Sequence, residues 1–128
     1  MSVGIVLVSH SAELAAGTAH LAGQVSGGTV TVVAAGGTDD GGLGTSAAKV
    51  ERGLREADTG AGVVVLPDLG SAVLTVRAVL EDMPGRRVIM ADAPFVEGAV
   101  AATVTAAGGG DVAAVAAAAE EARHARKL

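Results

Sequence analysis

His10 is the residue best placed for chemistry, because it follows a run of apolar residues, Val3 to Val8, and precedes Ser11, a helix-capping residue type. A histidine there stands beside the free N–H groups and positive dipole end of the helix that follows. Those features favour the neutral imidazole, a nucleophile, and would then hold a phosphate placed on it. The position alone is equally compatible with a structural histidine at a turn. Asp68 is the second candidate, standing after another apolar run. It can orient the imidazole by accepting a bond from one ring nitrogen, or serve as a helix cap before Leu69, and its two oxygens allow both.

Other arrangements fit less well. Ser9, His10 and Asp68 suggest a hydrolase, but consecutive residues leaving a strand point to opposite faces and there is no G-x-S-x-G turn. The loop AAGGTDDGGLGTS is rich in glycine yet lacks the lysine of a phosphate-binding loop, and no G-x-G-x-x-G follows the first apolar run. Asp39-Asp40 reads as a solvated turn before it reads as a cation site. Asp68 does not fit a receiver-domain phosphoacceptor, because Ser-His-Ser stands where a magnesium-binding acidic pair would be required. His20 lies ten residues beyond His10, roughly 15 Å along a helix, and is expected at the surface. His124 belongs to a polar terminal segment, EEARHARKL.

These residues need elements to position them. Four Val- and Ile-rich runs, Val3 to Val8, Val30 to Ala34, Gly62 to Leu66 and Arg87 to Met90, predict strands buried on both faces. Segments of helical spacing separate them, at Ser11 to Val25, Thr45 to Ala57 and Leu69 to Asp82, and two more follow, Val96 to Ala106 and Val112 to Arg126. Ser11 and Asp111 are expected N-caps. The alternation predicts right-handed βαβ crossovers and a three-layer α/β fold with an open parallel sheet, flavodoxin-like, in which chemistry collects beyond the carboxyl ends of the strands. In an order such as 2-1-3-4, the first and third strands are neighbours roughly 5 Å apart, which brings Asp68 to His10.

The 128 residues are read as a single domain, 1–128. Half the residues are apolar, mostly Ala, Val and Leu, with one Phe and no Trp or Tyr, so the predicted core is built from small side chains. No cysteine is present, which excludes disulfides and thiolate chemistry. The net charge of −5 and the lack of a basic stripe argue against nucleic acid or an anionic membrane as partner. A cytoplasmic location is the expectation, since the first apolar run is far too short to span a bilayer or act as a signal.

Taken together, IVLVSHSAELAAG, AAGGTDDGGLGTS, LPDLGSA and DAPFVEGAVAATVTAAGG resemble the phosphotransfer subunit of the phosphoenolpyruvate-dependent dihydroxyacetone kinases, within the mannose-type enzyme IIA fold family of the sugar phosphotransferase system. The resemblance covers nearly the whole chain. It implies a homodimeric phosphotransferase subunit with strand order 2-1-3-4. In it His10 takes phosphate from the phosphocarrier HPr and Asp68 orients the ring. The phosphate pocket would be shaped by Ser11, Gly36, Gly37, Thr38 and Ser71. The implied acceptor is ADP, held with magnesium on a separate nucleotide-binding subunit, and no metal or cofactor is expected on this chain. Some relatives carry HPr-like and enzyme-I-like domains in the same polypeptide, so this chain is expected to draw on separate proteins or to be a fragment. Two other readings stay open: a sugar-transport IIA domain that passes phosphate to a IIB domain, and a non-catalytic α/β module that binds a ligand at the same strand ends.

Overall fold

The computed structural model describes residues 1–128. Four strands, β1 (Gly4–Ser9), β2 (Val32–Gly36), β3 (Val63–Pro67) and β4 (Val88–Met90), form one parallel sheet in the order β2-β1-β3-β4. The helices are α1 (Ala12–Val25), α2 (Ala47–Ala57), α3 (Gly70–Glu81), α4 (Phe95–Ala107) and α5 (Val112–Glu121), with a closing 3₁₀ turn at Ala122–His124. This is the three-layer α/β arrangement and strand order expected from the sequence. The reversal of strand order falls between β1 and β3, where their carboxyl ends open a crevice.

Alternating side chains of the two central strands feed two core layers. Ile5 and Leu7 of β1 with Val64 and Leu66 of β3 pack against α1, α4 and α5. Val6, Val8, Val63 and Val65 pack on the other face against α2 and α3. The first layer meets helices largely through alanines, including Ala22, Ala99, Ala102, Ala116 and Ala119, so backbones approach closely, with Phe95 packing at its margin.

Burial on both faces holds for β1 and for most of β3, but not for the edges. Val32 and Val33 are half-buried, Ala34 is exposed, and all three residues of β4 are half-buried. Edge position also explains the displaced second strand, which runs Val32–Gly36 instead of Val30 to Ala34. Val30 is buried by the core before the strand begins, so its hydrophobicity marks packing and not pairing. The last helix stops at Glu121, not Arg126. A 3₁₀ turn at Ala122–His124 follows it, and beyond Glu121 Arg123 pairs with Asp92 and Lys127 with Glu97.

Candidate functional site

Ser11 caps α1 as expected, its hydroxyl accepting from the Leu14 N–H at 3.1 Å. This fixes where β1 ends and α1 starts, and leaves His10 in the turn between them. Behind that turn, Gly36 lies so close that a Cβ would sit 2.5 Å from the Ser11 carbonyl oxygen, and Gly37 adopts φ +78°. The loop after β2 is tied to the same turn. Gly37 N–H donates to the Ser9 carbonyl at 3.1 Å, and Gly44 N–H to the His10 carbonyl at 2.8 Å.

Parallel pairing aligns Val8 with Pro67, which puts Asp68 at the level of Ser9 and His10. Its carboxylate accepts four hydrogen bonds. Oδ1 receives His10 Nδ1–H at 2.9 Å and Leu69 N–H at 2.7 Å, while Oδ2 receives Ser9 Oγ–H at 2.8 Å and His10 N–H at 3.0 Å. Burial pushes the Asp68 pKa up, but the bonds from the His10 N–H, the His10 ring, Ser9 and Leu69 together outweigh it and hold the carboxyl below its ordinary value. The side chain is only 8% exposed, so the bonds act at low dielectric.

An ionised Asp68 dictates the imidazole tautomer. With a pure acceptor 2.9 Å from Nδ1, the proton resides on Nδ1 and the lone pair on Nε2. Nε2 faces outward, 2.5 Å from the Ser71 hydroxyl, which donates to it. The ring is 26% exposed, enough for a phosphorus centre to approach from solvent. The Ser71 hydroxyl brings the first turn of α3 to this nitrogen, and in that turn the N–H groups of Gly70 and Ser71 have no partner within the chain.

Of the residues singled out from sequence, the structure brings His10, Asp68 and Ser71 into one hydrogen-bonded chain. The Ser11 hydroxyl is occupied by its cap bond, and the Thr38 hydroxyl turns into its own loop, toward Asp40 at 2.5 Å and Gly42 N–H at 2.9 Å. Asp40 is held below its ordinary pKa by Thr38 first and by the Gly42 N–H second, and Asp39 accepts from Ser46, so the acidic pair is spent on shaping the loop. His20 and His124 are exposed.

Two expectations need correction. Asp68 is not the cap of α3: the helix begins at Gly70, and its N-cap, Leu69, makes no side-chain capping bond. The four donors around the carboxylate leave it no lone pair directed at the helix. Ser9 and His10 do not diverge, because both reach the same carboxylate from adjacent positions. Ser9 ends the strand and points across to β3, while His10 has already left the pleat. Ser9 was missed as a site residue. Fully buried, it donates to Asp68 and accepts from the Ser11 N–H at 3.0 Å, and a polar residue closing a run of valines was the signal.

Residues 4–116 match the family model EIIA-man, described as the PTS system fructose IIA component. The phosphoryl donor subunit DhaM of PEP-dependent dihydroxyacetone kinase 2 from Listeria innocua is 34% identical over 105 residues, 80% of this chain and 84% of that protein. The corresponding subunit from Escherichia coli K12 is 36% identical over 110 residues, 81% of this chain, although the match spans only 23% of that protein. Among solved structures, the crystal structure of EF1359, a protein of unknown function, superposes with a TM-score of 0.84 at 33% identity, covering 94% of this chain and 95% of that one.

Proposed function

We propose, since the chain belongs to the EIIA-man family, that it is a phosphohistidine carrier serving a dihydroxyacetone kinase: His10 accepts a phosphoryl group from HPr and passes it to ADP held with magnesium on a nucleotide-binding subunit. One observation carries the reading. The 2.9 Å bond from Nδ1 to Asp68 leaves Nε2 unprotonated and outward, as a phosphoryl acceptor requires.

No proton has to be removed for the first step. As the Nε2–P bond forms and the donor's P–N bond breaks, positive charge develops on the ring and the Asp68 carboxylate opposes it. Ser71, released from Nε2, can rotate its hydroxyl to a phosphoryl oxygen, beside the free N–H groups of Gly70 and Ser71. In the second step the P–Nε2 bond breaks as the ADP oxygen attacks in line, and the ring returns to the neutral tautomer that Asp68 already holds.

The test is incubation with labelled phosphoenolpyruvate, enzyme I and HPr. Wild type takes up acid-labile, base-stable label and His10→Ala takes up none. Label retained in His10→Ala would refute the assignment. The family model is described by a fructose IIA component, which supports a second reading as a sugar-transport IIA domain. Mixing the labelled chain with the ADP-loaded subunit, and separately with a mannose-type IIB domain, separates the two. Fast transfer to the IIB domain with none to ADP would favour the transport role.

A further inference from the structure

Across the β3–α3 turn from His10, on the β4 side, an open cleft of about 350 Å³ runs between the ends of β3 and β4 and the flank of α3. Pro67, Val73, Met90 and Ala91 give it an apolar lining, and exposed Leu69 and Arg77 complete its walls. Gly70, Val73 and Arg77 follow at three- and four-residue spacing, so they share one face of α3. A helical side chain leans toward its own N-terminus, and Arg77 therefore carries its guanidinium toward the turn that holds Asp68.

Arg77 has no carboxylate or carbonyl partner in the chain, although the net charge is −5. Arg55, Arg86, Arg123 and Lys127 are ion-paired and Lys49 donates to the Gly36 carbonyl, whereas Arg52, Arg87 and Arg126 are unpaired like Arg77, but of these unpaired arginines only Arg77 lines the cleft. Of the two acidic residues of the cleft, Asp92 pairs with Arg123, and Asp68 accepts from Ser9, His10 and Leu69. Apolar surface adjoins this free cation. Leu69, 63% exposed, lines the cleft beside Asp68 and so joins it to the His10 site. A protein seated on the cleft would bury Leu69 together with its apolar lining, Pro67, Val73, Met90 and Ala91.

We infer that this cleft docks the protein that takes the phosphoryl group from His10, with Arg77 pairing to carboxylates at the rim of that protein's metal–nucleotide site. The inference rests on the proposed function. A nucleoside diphosphate that accepts a phosphoryl group is held through hard metal ions, and hard ions are held by carboxylates, so the acceptor site is ringed with acidic groups. In-line transfer brings that ring against the His10 face. A guanidinium can meet a carboxylate there in two parallel hydrogen bonds, and Leu69 removes water around the contact. The phosphohistidine donor presents no metal site, so Arg77 acts on the acceptor side.

The experiment loads His10 with phosphoramidate, which needs no protein donor, and follows transfer to the ADP-loaded nucleotide-binding subunit of a dihydroxyacetone kinase at increasing acceptor concentration and salt. Arg77→Glu is expected to load normally, to raise the half-saturating acceptor concentration at least tenfold with the maximal rate within twofold, and to flatten the salt dependence. Arg77→Lys should recover part of the loss. An unchanged half-saturating concentration in Arg77→Glu overturns the inference while leaving the carrier function standing. Failure of wild type to load at His10 would instead remove the proposed function, and the docking assignment with it.

Discussion

Asp68 contributes to the site mainly through its charge state. Its oxygens meet only donors: two backbone N–H groups, a hydroxyl and the ring N–H. An Asn side chain would turn an NH₂ group toward one of these pairs and lose the preference for the Nδ1–H tautomer. Asp68→Asn should slow phosphoryl transfer more than tenfold, a barrier change of about 1.4 kcal/mol, with the circular dichroism spectrum unchanged. Transfer at the wild-type rate would reduce Asp68 to a structural role. The same carboxyl makes a pH prediction of definite sign. Because its folded pKa is lowered, its contribution to stability is complete above the unfolded value of about 3.9 and is lost as pH falls through the lower folded value. Urea unfolding should show wild type and Asp68→Asn converging in stability below about pH 4. A gap that stays constant there would mean that another group carries the acid dependence.

The loop after β2 and the start of α1 position His10 as a pair, and glycines set how closely they approach. A methyl group at Gly36 would lie 2.5 Å from the Ser11 carbonyl oxygen and 2.8 Å from the Ala15 Cβ. Gly36→Ala should therefore cost about 2 kcal/mol through overpacking and shift the turn that carries His10, with a loss of transfer rate. Gly17, in the middle of α1, has nothing within 4 Å of where a Cβ would stand. Gly17→Ala should stabilise the protein by about 0.5 kcal/mol, because the helix loses a flexible residue and gains no contact. Denaturant titration of the two variants checks the pair. Equal effects of the same sign would show that contact at Gly36 does not limit the approach of the two segments.

The molecule as a whole is a sheet clad in small side chains, so its few large core residues carry a disproportionate share of the packing. Leu66 is fully buried at the end of β3, one residue before Pro67 and two before Asp68. Leu66→Ala should cost about 3 kcal/mol, transfer energy plus an unfilled cavity. Leu74, 67% exposed on α3, should tolerate the same change within about 0.5 kcal/mol. Chemical denaturation separates the two outcomes. A small loss at Leu66 would mean that the surrounding alanine-lined helices collapse into the space.

The order of elements was legible in the sequence because β1 and β3 lie in the middle of the sheet, where burial on both faces writes a continuous apolar run into the chain. Helix starts were legible where a side chain makes the cap, as Ser11 and Asp111 do. His10 and Asp68 could be singled out because each follows such a run, and strand ends are where an α/β sheet exposes its side chains. What sequence could not decide depends on contacts between distant segments. The edge strand β2 is half-buried, so hydrophobicity misplaces it by two residues. The helix after Asp68 starts without a side-chain cap, because the carboxylate is claimed by Ser9 and His10 from a strand 58 to 59 residues away. Arg77 stands out only through its place in the cleft, because its face of α3 opens onto the β4 end only after β3 and β4 pair. Local periodicity records which residues are buried, whereas hydrogen-bond partners and unpaired charges are set by which segments the fold brings together.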